Sequence, residues 1–428
     1  MNNKIVKQAV CFLRIKRNCF YHIMNNLKWN IRRTKKILLN EKINIVFVCH
    51  RPNIWGSLKT IFEACSNDEQ FNVTIVAIPN KKQLSGSGLA HEIYESEGAE
   101  EFFKNFPCKV INGYDYQTKK WFDLKSLKPD YLFFQQPYNI TRTKQYQSHK
   151  IAKYTKLLYV HYAANFIGNG VFESTYPRDF IKDLNCIFMQ DINDKKLVEK
   201  HIKEINPKIK TILSGFPRYD EITQLINTDS PNWNLPRTKE IKRIIWTPRW
   251  STTEGNCHFF DYKDFLIEYA EENKDIDFIF RPHPQMFLEL AATGELPADK
   301  AEEYKKRYDS CNNAKIDTQK EYLTTFYSSD ILITDISSIV AEYFLTGKPV
   351  IYCHRVNHFN EFSAKIAEGF YWVHNWNELK QTIEMLKSGE DPLYEKRQQI
   401  IKDNFYINPD GAGYTIKEII KKDFYGKN

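Results

Sequence analysis

Short apolar runs alternate with helix-patterned stretches along most of this chain, and that alternation constrains the fold more than any other feature. Runs at 44–48, 73–78, 131–134, 157–160 and 187–189 are apolar enough for strands covered on both faces, as in a parallel sheet. Between them, 57–65, 89–97, 145–154 and 193–203 are predicted as helices. A second series follows, with strands at 244–247, 278–281, 331–334 and 350–353 and helices at 262–272, 320–327, 338–345 and 378–386. Two successive β/α series predict an α/β protein of two doubly wound, Rossmann-like domains with a cleft between them and ligand sites at the carboxyl ends of the strands. A chain of 428 residues can fill two such cores. The divide is expected within 212–236, which holds "SGFPRYDEI" and "NTDSPNWNLP". The expected domains are 43–210 and 211–400, and 401–428 is read as a helix returning to pack on the first.

The segment "ILITDISSIVAEYFLTGKPVIY", 331–352, reads as strand, turn, helix, strand, with Gly347 stopping the helix and Pro349 beyond it. Ser337 and Ser338 stand where that helix begins. There, backbone N–H groups and hydroxyls suit a phosphate, although serine before a helix also serves simply as a cap. Other polar residues follow strands in the same way: His161 in "YVHYAANF", Thr247 and Arg249 in "WTPRW", and Arg281 and His283 in "FRPHP". His161 could equally be a core histidine and "RPHP" a rigid turn. Glu342, one turn beyond Ser338, either reaches a ribose hydroxyl or faces outward. The single Asp-x-Asp, Asp275-Ile276-Asp277, opens a strand rather than closing one and is read as solvent-facing, so no metal site is expected.

Charge is unevenly placed. Residues 1–40 carry ten Lys or Arg and no acid against a chain total of +8, which leaves the remainder at about −2. A general nucleic-acid binder would spread its basic residues over the body, so no nucleic-acid partner is expected. The basic stretch is interleaved with Val10, Leu13, Phe20, Leu27, Trp29 and Ile31, and residues 1–42 are read as an amphipathic helical arm on an anionic membrane surface. A basic tail that stays solvated would share the composition. Nine scattered cysteines with no CxxC pair indicate neither a disulfide framework nor zinc, which fits a reducing cytoplasm.

Taken in order, "HYAANF", "SGFPRYDEI", "IIWTPRW", "FRPHP" and "ILITDISSIVAEYFLTGKPVIY" resemble the CDP-glycerol glycerophosphotransferases, which build teichoic-acid-like polymers. The segment "PDYLFFQQPYN", 129–139, resembles relatives in capsule and surface-polymer synthesis. The resemblance implies the GT-B fold and a peripheral place at the cytoplasmic face of the membrane. It implies a CDP-glycerol or CDP-ribitol donor, a glycan or lipid-linked polymer acceptor, and no required cofactor. It also implies roles: His161 as the base for the acceptor hydroxyl, with Tyr162 where the family usually has Gly. His283 and the turn Thr334, Asp335, Ile336, Ser337, Ser338 would meet the donor phosphates, aided by Thr247, Arg249 and Arg281. A GT-B glycosyltransferase using a nucleotide sugar is the alternative, and an inactive membrane-bound scaffold is a second.

Overall fold

The computed structural model describes residues 24–81, 93–164, 175–226, 228–252, 257–319, 322–337, 339–353 and 359–426. The chain forms two compact units: the first holds it through Tyr162, again up to Pro217, and from Asn408 on, and Arg218–Ile407 belongs to the second.

In the first unit, two-residue ladders aside, the strands are β1 (Ile43–Cys49), β2 (Phe71–Ala77), β3 (Lys109–Asn112), β4 (Tyr131–Phe134), β5 (Lys156–Val160), β6 (Cys186–Met189) and β7 (Lys210–Leu213). All pair in parallel in the order β7-β6-β5-β4-β1-β2-β3. The chain builds outward from β1 on one side and then returns to β4 on the other, so the switch point lies between β1 and β4. The divide expected between 210 and 211 falls inside β7, a strand not expected from the sequence. That strand completes the first sheet, with Ile212 and Leu213 paired to Phe188 and Met189 of β6.

A helix at 24–38 also belongs to this unit, so the arm expected to stand apart up to residue 42 is, over this stretch, part of the domain. Trp29 is buried and its indole N–H donates to the Asp130 carbonyl at 3.0 Å. Lys36 Nζ lies 2.6 Å and Arg32 Nε 3.2 Å from the Asp130 carboxylate, which is fully buried just before β4. A buried carboxylate without a cation is costly, and this pairing ties the helix to the sheet. The outer face carries exposed Leu27, Ile31, Leu38 and Leu39. Residues 1–23 of the expected arm lie outside the described residues. Helix Ala412–Tyr425 packs on helix Gly56–Ser66 so closely that a Cβ on Gly413 would fall 2.4 Å from the Thr60 carbonyl carbon.

The second unit holds β8 (Lys242–Thr247), β9 (Ile276–Phe280), β10 (Ala314–Ile316), β11 (Ile331–Thr334), β12 (Val350–Cys353) and β13 (Tyr371–Val373), all parallel in the order β10-β9-β8-β11-β12-β13. Its switch point lies between β8 and β11. Trp246 of β8 packs between Phe259 and Phe280 in the core. Gly347 ends helix Ile339–Phe344 with φ 71°, a left-handed conformation that other residues rarely adopt.

Two local expectations change. Of the helix expected at 89–97, residues 93–97 are described and are not helical: Tyr94–Glu95 pairs with Asn80–Lys81, and Tyr94 packs on Trp121 with ring centroids 4.8 Å apart. Asp277 of the Asp-x-Asp is not solvent-facing. It is fully buried and accepts from Asn234 Nδ2 at 2.8 Å and Leu235 N at 2.7 Å, which pins the incoming connection onto β9.

Candidate active site

At the second switch point the ends of β8 and β11 are stitched together. Thr247 Oγ1 and Thr334 Oγ1 are 2.8 Å apart, and Thr334 also donates to the Thr247 carbonyl at 3.1 Å. The Asp335 carboxylate accepts from Arg249 N at 2.9 Å, His258 N at 3.1 Å and His258 Nδ1 at 2.7 Å. A carboxylate only accepts, which places the ring proton on Nδ1 of His258. The other ring nitrogen, Nε2, is buried with no hydrogen-bond partner among the described residues. Asp335 thus fastens the loop after β8 to the turn after β11 rather than presenting a charge to a ligand. Arg249 Nη1 donates to the Ile336 carbonyl at 3.2 Å, and Ser337 Oγ accepts from Ile339 N at 3.4 Å, a long capping bond. Ser338 lies outside the described residues.

Thr247, Arg249, Thr334, Asp335 and Ser337 are therefore brought together. His283 is exposed after β9, its ring 6.0 Å from that of Trp250, and its Nδ1 accepts from Gln285 N at 3.2 Å. Arg281 and Glu342 belong elsewhere. The Arg281 guanidinium donates to Asp317 Oδ2 at 2.6 Å and to the Gln319 carbonyl at 2.9 Å. Glu342 neither faces outward nor stands open for a ribose: it is buried, 3.4 Å from Arg218 Nε and 3.4 Å from the Tyr327 hydroxyl. Burial raises its pKa against the opposing pull of Arg218.

In the first unit His161 follows β5 directly, with its ring stacked on Tyr162 at 4.9 Å and tilted against Tyr176 at 5.4 Å. Tyr162 and Tyr138 hydroxyls are 3.0 Å apart. The switch point of this unit carries residues to which the sequence assigns no individual role, although Gln135 lies within "PDYLFFQQPYN". Gln135, after β4, grips the loop after β1: its Oε1 accepts from His50 N at 2.9 Å and Arg51 N at 3.0 Å, and its Nε2 donates to the Arg51 carbonyl at 2.7 Å. His50 is buried, and its pKa is held well below the usual value by that burial, then by Arg51 and Arg142. His50 and His258 are solitary histidines in the sequence; His50 directly follows a strand, whereas His258 stands just before helix Phe259–Glu272, well beyond the end of β8, and carries no such signal.

The family described as CDP-glycerol:poly(glycerophosphate) glycerophosphotransferase matches residues 195–412, a span that includes the whole β8–β11 site. This chain belongs to that family. A stretch of 158 residues, 34% of this chain, is 28% identical to the minor teichoic acid biosynthesis protein GgaB of Bacillus subtilis (strain 168) and covers 16% of that longer protein. Among solved structures, the wall teichoic acid polymerase TagF superposes with a TM-score of 0.58 at 14% identity, over 94% of this chain and 99% of that one. A UDP-GlcNAc 2-epimerase from Neisseria meningitidis gives 0.54 at 15% identity, over 90% and 100%. Identities this low speak for the fold alone, and the fold is GT-B.

Proposed function

We propose that the protein transfers glycerol phosphate, or a related polyol phosphate, from a CDP-linked donor to a hydroxyl of a surface glycan or teichoic-acid-like polymer. The observation that carries this is the family match across the turn after β11 and the "FRPHP" motif. In this reading the donor pyrophosphate meets Ser337, Ser338, Thr247, Arg249 and His283. Asp335 and Thr334 hold the turn in place, and Arg281 and Glu342 support it from their own buried ion pairs.

The acceptor oxygen attacks the phosphorus that carries the polyol, a new P–O bond forms, the bond to CMP breaks, and CMP leaves with the electron pair. His161 takes the acceptor proton, as a side chain with an ordinary pKa of about 6.5 can at neutral pH. Donors preorganised around the phosphates stabilise the charge that builds on the phosphoryl group and the leaving CMP. The enzyme works at the cytoplasmic face of the membrane, held there peripherally by the basic residues of 1–40.

Turnover of radiolabelled CDP-glycerol, CDP-ribitol and UDP-sugars by the purified full chain tests the proposal. Release of CMP from a CDP-polyol is expected. Turnover of a UDP-sugar alone would replace the reading with a glycosyltransferase, and turnover of none would leave a scaffold.

A further inference from the structure

The carboxyl edge of the first sheet holds a group of buried polar side chains that the proposed chemistry does not use. Along the neighbouring strands β1, β4, β5 and β6, the residues that follow are His50, Gln135-Gln136, His161 and Gln190. His50, Gln136 and Gln190 are only 3%, 5% and 6% exposed. Yet His50 Nε2, Gln136 Nε2 and Gln190 Oε1 have no hydrogen-bond partner among the described residues. Buried polar atoms in folded proteins are almost always paired, so three orphans in one row of four strand ends are candidates for a bound ligand. They stand where ligands of open α/β sheets bind, and two of them flank the switch point itself.

The charge of the row decides what that partner is. Arg51 is paired with Glu97, with Nη2 2.9 Å from Oε1. Arg142 donates to the Gln136 carbonyl and to Asn139 Oδ1, both at 2.8 Å, and lies 4.0 Å over the Phe134 ring. Burial pushes its pKa down to about 9, even with Asp179 nearby. The His50 ring stays neutral, because burial first and then Arg51 and Arg142 oppose its charge. Arg51 and both Nη groups of Arg142 are thus engaged; the buried Arg142 Nε has no partner among the described residues, but its guanidinium is held on the Phe134 ring, and the orphans at the strand ends are an amide donor, an amide acceptor and a neutral imidazole. A phosphate needs charge-assisted donors, whereas a hydroxyl both gives and takes a hydrogen bond and matches this mixed set.

We infer that this edge is the acceptor subsite and that it takes a neutral polyhydroxylated end, a sugar residue, rather than a phosphate-ended chain. The inference rests on the transfer reading above and names its acceptor class. Strand spacing of about 4.8 Å puts the end of β1 roughly 10 Å from that of β5, the breadth of a sugar or two, so a sugar held by His50 and Gln136 can present a hydroxyl to His161.

Saturation-transfer NMR tests this on the full chain without donor, using methyl β-glucoside and methyl N-acetyl-β-glucosaminide as neutral probes and poly(glycerol phosphate) as the anionic one. Wild type should transfer saturation to a glycoside, and poly(glycerol phosphate) should not displace it. His50→Gln and Gln190→Ala should each weaken the glycoside signal several-fold while calorimetric affinity for CDP-glycerol stays the same. Displacement by poly(glycerol phosphate), no signal with either glycoside, or full signal in both variants would overturn the inference. Should His50→Gln fail to fold by circular dichroism, Gln136→Ala and Gln190→Ala decide. Glycoside binding without turnover of any CDP donor would sink the transfer reading and leave the subsite standing, while turnover without glycoside binding would do the reverse.

Discussion

At the scale of single residues, the site depends on groups whose hydrogen bonds are all spoken for and on a few that are not. Asp335 accepts from two backbone amides and one imidazole. Asp335→Ala strands two buried donors of His258 and one part-buried donor of Arg249, each buried one worth roughly 1–3 kcal/mol when left unpaired, although neighbouring losses overlap. A melting temperature several degrees below wild type is expected together with weaker CDP-glycerol binding, and an unchanged melt would show that the staple contributes nothing. His161→Ala should cut turnover by about 100-fold or more with donor affinity nearly intact, because a base acts on the acceptor in the transition state. Retained turnover would remove His161 from the mechanism.

His50 sets a pH dependence. Its folded pKa lies below the unfolded value, so the folded state resists a proton that the unfolded chain takes up. Its contribution is complete above about pH 6.5 and is lost as pH falls below that. Chemical denaturation between pH 7 and 5 should show a smaller loss of stability in His50→Gln than in wild type, and parallel slopes would exclude the effect.

Among elements, the helix at 24–38 shows how one segment can face two ways. Inward it places Trp29 edge-on to Tyr131 and Phe424 and brings Lys36 and Arg32 to Asp130. Deleting residues 1–40 removes all of these, taking both cations from Asp130 and the buried Trp29 from the sheet. That truncation is expected to denature at markedly lower urea than the full chain, whereas a chain beginning at residue 24 keeps every one of these contacts. Equal midpoints for the full chain and the 1–40 deletion would show that the helix adds no stability to the first unit. Outward the same helix presents Leu27, Ile31 and Leu38 beside Lys28 and Lys35.

For the molecule as a whole, the proposed membrane contact rests on the charge map. The ten cations of residues 1–40 exceed the net charge of the entire chain, +8. Each basic residue near an anionic surface contributes about 1 kcal/mol, and salt screens it. The full chain should float with phosphatidylserine liposomes at low ionic strength, float less at high salt, and not float with neutral ones. Leu27→Asn combined with Ile31→Asn should reduce flotation without changing the fold. Flotation indifferent to salt and to these changes would place the membrane contact elsewhere.

What the sequence by itself determined is everything encoded by near neighbours. Doubly buried strands need apolar residues at successive positions, so 131–134, 244–247 and 331–334 announced themselves, and their alternation with helices announced two doubly wound units. The turn after β11 was legible for the same reason, since strand, serines, helix and Gly347 fall within one short segment. Tertiary structure alone decided which polar groups meet. Asp335 finds His258 across 77 positions, Gln135 finds His50 across 85, and Lys36 finds Asp130 across 94. A lone histidine or lysine carries no periodicity, and whether it is buried, paired or left with an open nitrogen depends on which strand ends the topology sets side by side.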